Sequence, residues 1–220
     1  DYNVGIFLNS LGLPTLQGYG LTEASPVVSC NSIDKIKIET VGKIFKDVEV
    51  KIANDGEILV KGENVMLGYW NNKNETEKIL RDNWLYTGDI GEIDQEGYLK
   101  ITDRKKDIIV NAGGDNIAPS KIENLLANYP EIIQSYIYGD KKNYLVALIV
   151  VGKELEDRKN KIQFIIDKVN NDLSIIEKIK KFIIIDDPFT IENEMLTPTM
   201  KIRRHQVKKA FGDQLEKLYF

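Results

Sequence analysis

Four stretches of this chain gather residues that could do chemistry. The first is Gln17-Gly18-Tyr19-Gly20-Leu21-Thr22-Glu23, an aromatic between two glycines that runs into a hydroxyl and a carboxylate. The second, Tyr86-Thr87-Gly88-Asp89, puts a carboxylate just after a glycine. The third, Gly97-Tyr98-Leu99-Lys100-Ile101-Thr102-Asp103-Arg104-Lys105-Lys106-Asp107, ends in a charged run and is followed closely by Gly113-Gly114. The fourth, Leu196-Thr197-Pro198-Thr199-Met200-Lys201-Ile202-Arg203-Arg204, carries Lys201 into a basic run that continues to Lys208 and Lys209. Glycine lets a backbone approach a ligand closely, carboxylates accept hydrogen bonds or hold cations, and lysine offers a compact charge on a flexible stem. Taken singly, each stretch has a plainer meaning: a turn carboxylate, a buried tyrosine, a solvated charged run, a hairpin turn.

Other chemistries are excluded by composition. The chain has no Gly-x-Ser-x-Gly elbow and no Gly-x-x-x-x-Gly-Lys-Ser/Thr phosphate loop. His205 is the only histidine, so neither a histidine-based triad nor a multi-histidine metal site can be built from it, and it reads as an exposed side chain beside Arg203 and Arg204. Net charge is −4, with 30 basic and 34 acidic residues, so no general positive excess exists to neutralise a nucleic acid. Cys30 stands alone, which excludes an internal disulfide and fits a reducing compartment. No signal segment or run long enough to span a membrane is visible, and the expected location is cytoplasmic. The opening residues read as the inside of a helix, which leads to the expectation of a piece of a longer protein.

The elements that must position these stretches fall into two styles, on either side of residues 102–117. Val4, Phe7, Leu8 and Leu11 share one helical face, and Gly12 and Pro14 stop that helix. From Thr40 to Thr102 the pattern is strand and turn. Val48, Val50 and Ile52 alternate with charged residues, and Asn54-Asp55-Gly56 is a hairpin signal into Glu57–Lys61. A short helix is expected over Asn74–Leu80. Trp84–Asp89 reads as extended and then turning, and Ile90–Ile93 with Tyr98–Ile101 reads as a further hairpin. This half is expected to be a distorted β-barrel or curled sheet. Beyond the charged run, Pro119 sits at a first helical position ahead of Ile122, Leu125, Leu126 and Tyr129. Strands are expected at Ile132–Tyr138, Tyr144–Val151 and Phe182–Ile185, with helices at Ile162–Leu173 and Gln206–Leu218. The fold class is α+β, with domains over 1–103 and 108–220 and a hinge at 104–107.

Taken together and in order, the four stretches resemble the signature motifs of the adenylate-forming superfamily: acyl-CoA synthetases, luciferases and peptide-synthetase adenylation domains. The first and last look most like bacterial long-chain fatty acid–CoA ligases. The resemblance implies that the chain is the end of a large AMP-binding N-domain followed by a small mobile C-terminal domain. The family's Ser/Thr/Gly-rich phosphate loop and most of its fatty-acid pocket have no counterpart here, so this piece is expected to be inactive alone and to depend on that missing N-terminal part.

The function implied is ATP-dependent activation of a fatty acid to an acyl-adenylate, then transfer to CoA, with ATP, Mg²⁺ and CoA as cofactors. Two negatively charged reactants must meet, so such a site needs fixed positive charge and a metal ion. By resemblance, Lys201 is the catalytic lysine that bridges the carboxylate and the α-phosphate, Glu23 holds Mg²⁺, and Thr22 touches the phosphates. Tyr19 lies against adenine beside Gly20, Asp89 accepts from both ribose hydroxyls, and Arg104 donates to ribose or phosphates. Lys106 matches the hinge pivot, and Gly113 and Gly114 line the path for the CoA thiol arm. Met200 departs from the family's usual glycine ahead of the lysine and should stiffen that loop. Two alternatives stay open: an enzyme that passes the acyl group to a carrier protein, and a non-catalytic nucleotide-binding module. The basic C-terminal run could also give weak peripheral contact with an anionic membrane at the inner surface.

Overall fold

The computed structural model describes residues 2–152 and 154–220. It divides into two compact units, the first ending at Lys106 and the second running from Asp107 to Phe220.

The first unit opens with α1 (Tyr2–Ser10). Gly12 stops it in a left-handed conformation (φ 75°), where its amide hydrogen-bonds to the Asn9 carbonyl. The expected apolar stripe forms but is not covered within this unit: Val4 and Phe7 are more than half exposed, and Gly5 is the helix's buried residue. Three short strands follow, β1 (Gly18–Gly20), β2 (Val27–Cys30) and β3 (Lys43–Ile44), which form one antiparallel sheet. A second sheet holds β4 (Val48–Ile52), β5 (Glu57–Gly62), β6 (Leu80–Arg81), β7 (Trp84–Ile93) and β8 (Leu99–Arg104) in the order β4-β5-β7-β6, with β8 also on β7. The Asp-Gly turn joins β4 to β5 as its sequence predicts, with Gly56 at φ 85°. Helix α2 (Lys73–Ile79) is capped by the Asn72 side chain, which accepts from the Glu75 amide.

One expectation needs correction. The chain does not turn away at Asp89; β7 runs unbroken from Trp84 to Ile93. Gly88 at φ 72° and register shifts at Glu57/Leu59 and Ile90/Gly91 bend the strand without ending it. Its first half pairs with β6 and its second half with β8. The core of this unit is Tyr19, Ala24, Val28, Ile58, Val60, Leu85 and Leu99.

The second unit begins with a hairpin of β9 (Ile109–Val110) and β10 (Asn116–Ile117), followed by α3 (Pro119–Ala127) with Pro119 in its first turn. Strands β11 (Ile132–Tyr138) and β12 (Leu145–Val151) are antiparallel. Helix α4 (Arg158–Asn171) leads to β13 (Ile179–Ile185), which lies parallel to β12. Helix α5 (Arg204–Glu216) closes the unit. Strand β12 is buried on both faces, and its side chains sort strictly by parity. Leu145, Ala147, Ile149 and Val151 pack with Ile109, Ile117, α3 and α4. Val146, Leu148 and Val150 pack with Phe189, Leu196 and α5.

Candidate functional site

In the first unit, residues from three of the four stretches converge. Tyr19 is buried in β1, and Gly20 beside it lies so close to β2 that a Cβ there would fall 1.9 Å from the Pro26 carbonyl oxygen. The Tyr19 hydroxyl donates to Asp89 Oδ2 at 2.6 Å, and Arg104 Nε lies 2.6 Å from Asp89 Oδ1. Asp89 and Arg104 are register partners on β7 and β8, which is how the strand pairing delivers the arginine to the carboxylate. Burial, and then the bond to Asp89, push the tyrosine hydroxyl well above its ordinary pKa, so it is a neutral donor. The Asp89 side chain is 6% exposed; Oδ2 accepts from Tyr19, and Oδ1 is ion-paired with Arg104. A carboxylate oxygen can take two, so each keeps one site for a hydroxyl.

Thr22 and Glu23 sit in the short helical turn Thr22–Ala24. Glu23 is held from the far side by the segment after β5: its carbonyl accepts from the Met66 amide, and its Oε1 accepts from the Tyr69 hydroxyl at 2.6 Å. That bond, with burial second, pushes Tyr69 up to about 12. The other Glu23 oxygen has no partner among the described residues. Thr22, Glu23, Tyr69, Tyr86, Thr87 and Arg104 line a cavity of about 370 Å³. The Arg104 side chain is half exposed there, free to donate with its outer nitrogens.

Sequence reasoning missed Glu57. This nearly buried carboxylate accepts from the Gly88 amide at 2.9 Å and from Lys105 Nζ at 2.8 Å, while Lys105 also pairs with Asp55 at 2.6 Å. These bonds, Asp55 first, raise the Lys105 ammonium and lower the Asp55 carboxyl. Glu57 thus ties the Thr-Gly-Asp stretch to the start of the charged run. Lys106, exposed in the helical turn Lys105–Asp107, is the last residue of the first unit.

The second unit carries the remaining candidates. Gly113 and Gly114 form the exposed tip of the β9–β10 hairpin, with Gly114 at φ 88°. Asn111 closes the turn by exchanging side-chain and main-chain bonds with Asp115. Lys201 lies in a second loop, next to the bridge between Leu196 and Ile202 that closes it. Within it the Lys201 amide donates to Thr197 Oγ1 at 3.0 Å, and the Thr197 amide to the Lys201 carbonyl at 2.8 Å. Met200 occupies the left-handed region (φ 63°) and is exposed. The Lys201 side chain is exposed too, as is His205. The roots of these two loops belong to different cores: Ile109 and Ile117 pack with α3 and α4, Leu196 and Ile202 with α5. The diglycine tip and the lysine loop therefore rise from opposite faces of the β11-β12-β13 sheet.

Family models match on both units: the AMP-binding enzyme over residues 4–70, and the AMP-binding enzyme C-terminal domain over residues 106–220, more than half of the chain. The chain belongs to the AMP-binding enzyme family. Among curated relatives, the long-chain-fatty-acid–CoA ligase FadD15 of Mycobacterium bovis is 37% identical over 238 residues, covering 98% of this chain and 40% of the relative. Long-chain-fatty-acid–CoA ligase 5 of Mus musculus is 34% identical, covering 87% of this chain and 31% of the relative. Among solved structures, the adenylation domain of a carboxylate reductase from Mycobacterium chelonae superposes with a TM-score of 0.82 at 25% identity, over 99% of this chain and 36% of that one. O-succinylbenzoate coenzyme A synthetase from Bacillus subtilis, in complex with AMP, gives 0.77 at 29%, over 94% and 44%. This member of the family spans about 40% of the length of the FadD15 relatives it matches.

Proposed function

We propose that this chain is the C-terminal part of an AMP-forming ligase that activates a long-chain fatty acid as its acyl-adenylate and transfers it to CoA. The observation that carries the reading is the Asp89 carboxylate. It gathers Tyr19 and Arg104 from separate stretches, and Arg104 lines a cavity that also presents Thr22 and Glu23. The fatty acid and CoA are supported by the named activities of the mycobacterial and mouse relatives.

The residues fit the groups this reaction needs. Glu23 offers one open carboxylate oxygen at the cavity, and Mg²⁺ is commonly held by one or two carboxylates together with substrate phosphates. When bound, the ion offsets negative charge developing on those phosphates. Asp89 keeps one acceptor site on each oxygen for the ribose hydroxyls, and Tyr19 packs in the wall behind it. Thr22 and the outer nitrogens of Arg104 donate to phosphate or ribose. Lys201, on an exposed loop and with no carboxylate partner among the described residues, supplies the charge that brings two anions together. Gly113 and Gly114, on the opposite face, leave room for a thin thiol arm in the second step, and Lys106 serves as the pivot that exchanges the faces.

The test joins the chain to the upstream part of such a ligase and measures the two steps separately. Lys201→Ala should lower ATP–pyrophosphate exchange with a long-chain fatty acid by about 10²–10³-fold. Thioester formation from supplied acyl-adenylate should remain within a few-fold, and the 220-residue chain alone should give little exchange. Equal loss of both steps would remove the role given to Lys201.

A further inference from the structure

The lysine loop leaves into α5 without a conventional cap, because Arg203, at the helix entry, offers no side-chain acceptor to the first turn. Arg204 makes a different anchor. Its Nη1 lies 2.8 Å from Glu123 Oε1, its Nη2 donates to the Ile137 carbonyl at 2.5 Å, and its guanidinium stacks over Tyr136 at 4.6 Å. Glu123 Oε1 also accepts the Ile137 amide at 2.8 Å. Strand β11 is an edge strand, so the outward N–H and C=O of Ile137 find no partner in the ladder. One acid and one base satisfy both groups and pair with each other. They also come from opposite sides: Glu123 from α3, next after the diglycine hairpin, and Arg204 from α5, next after the lysine loop. Asp107, the first residue of the second unit, adds negative charge felt by both Arg204 and Tyr136.

We propose that Arg204 is a positioning residue for Lys201: its clip to Glu123 and Ile137 fixes the exit of the lysine loop against the sheet edge, so that the ammonium is delivered to one place. The proposal rests on the reading of Lys201 as the catalytic lysine. The clip has a polarity. Ile137 requires a donor at position 204 and an acceptor at position 123, so exchanging the two charges should not restore it. Both side chains are largely withdrawn from water, at 16% and 14% exposed, and removing one partner leaves the other charge desolvated.

The experiment uses the chain joined to its upstream ligase part and four variants: Lys201→Ala, Arg204→Met, Arg204→Lys and Glu123→Gln. Arg204→Met should lower kcat for adenylation about ten- to a hundredfold, as small misplacements of a reacting group do. The KM for ATP and the thioester step from supplied acyl-adenylate should stay within about twofold, a split that a merely structural loss would not produce. Amide exchange at Met200 and Lys201 should quicken. Glu123→Gln, whose carboxamide oxygen still accepts from both partners, should lose less than Arg204→Met. Should Arg204→Met fail to fold, Arg204→Lys carries the test, since a compact ammonium lacks the planar fork with which the guanidinium meets Glu123 and Ile137 from separate nitrogens, and it should show the same split at smaller size. Parallel loss in both steps, or unchanged adenylation, overturns the proposal. If Lys201→Ala itself leaves adenylation intact, the reading beneath it falls instead.

Discussion

Removing the Glu57 carboxylate should loosen the link between the Thr-Gly-Asp stretch and the charged run, by an amount the geometry bounds. Glu57→Ala deprives the part-buried Gly88 amide of its acceptor, a loss of about 0.5–1.5 kcal/mol, the net worth of an ordinary hydrogen bond. Lys105 also loses a partner, but its side chain is 46% exposed and keeps Asp55 at 2.6 Å, so that share falls to the surface range of roughly 0–1 kcal/mol. The sum is about 0.5–2.5 kcal/mol. For a unit of this size that lowers the midpoint of its thermal transition by roughly 2–20 °C. Glu57→Gln separates the two contributions. Its carboxamide oxygen can still accept from Gly88, and only the pairing with Lys105 is lost, so it should cost about 1 kcal/mol or less. Thermal melts of both variants, with amide exchange at Gly88, make the comparison. Near 1 M salt the smaller effect should shrink as the ion pair is screened, while the larger persists. If the alanine and glutamine variants shift the melt equally, the bond to Gly88 contributes nothing and the coupling is wrong.

Two further outcomes follow from local geometry. Met200 at φ 63° carries the cost of an L-residue in the left-handed region, about 1–2 kcal/mol. Part of that relief is offset by glycine's greater freedom when unfolded, so Met200→Gly should stabilise the second unit by about 0.5–1 kcal/mol in denaturant titration, and a net loss would refute the conformation. Asp94 is drawn down from 3.8 to about 2, chiefly by the Lys37 ammonium and then by the Tyr98 and Glu96 amides. A carboxyl lowered on folding contributes fully above its unfolded pKa and loses that contribution as pH falls through the folded one. The acid limb of stability between 3.8 and about 2 should therefore flatten in Asp94→Asn, and an unchanged limb in an acid titration followed by circular dichroism would count against the Lys37 pairing.

What was legible in the sequence is what short-range rules govern. The Asp-Gly turn before Glu57, Pro119 at a helix start and the apolar stripe of α3 all act within a few residues, and the structure follows them. Strand β7 was misread because a glycine before a carboxylate signals a turn, whereas here bulges against β5 and β8 absorb the bend. Glu57 and Arg204 carried no local signal. One looked like a polar strand residue and the other like one member of a basic run. Their partners lie 31 and 81 residues away, at Gly88 and Glu123, and only the strand order and helix placement bring them together. For Asp89, the sequence placed a carboxylate where one was expected, but not that Tyr19 and Arg104 would already occupy it.

The second unit shows why a three-stranded sheet suits a body with two different faces. Because neighbouring side chains on β12 point in opposite directions, the strand feeds two cores at once, and each core roots one functional loop. A slip of one residue in the β11–β12 pairing would exchange the cores and move Ala147, small enough to sit beneath the helices, to the side now filled by Tyr136 and Tyr138. The register is therefore fixed by side-chain size as well as by hydrogen bonds, and the separation of the two loops is fixed with it. At the open edge, where no neighbouring strand enforces that register, the Ile137 peptide is held by the ion pair between Glu123 and Arg204. The edge of the sheet is thus the place where one substitution could uncouple the faces without disturbing either core.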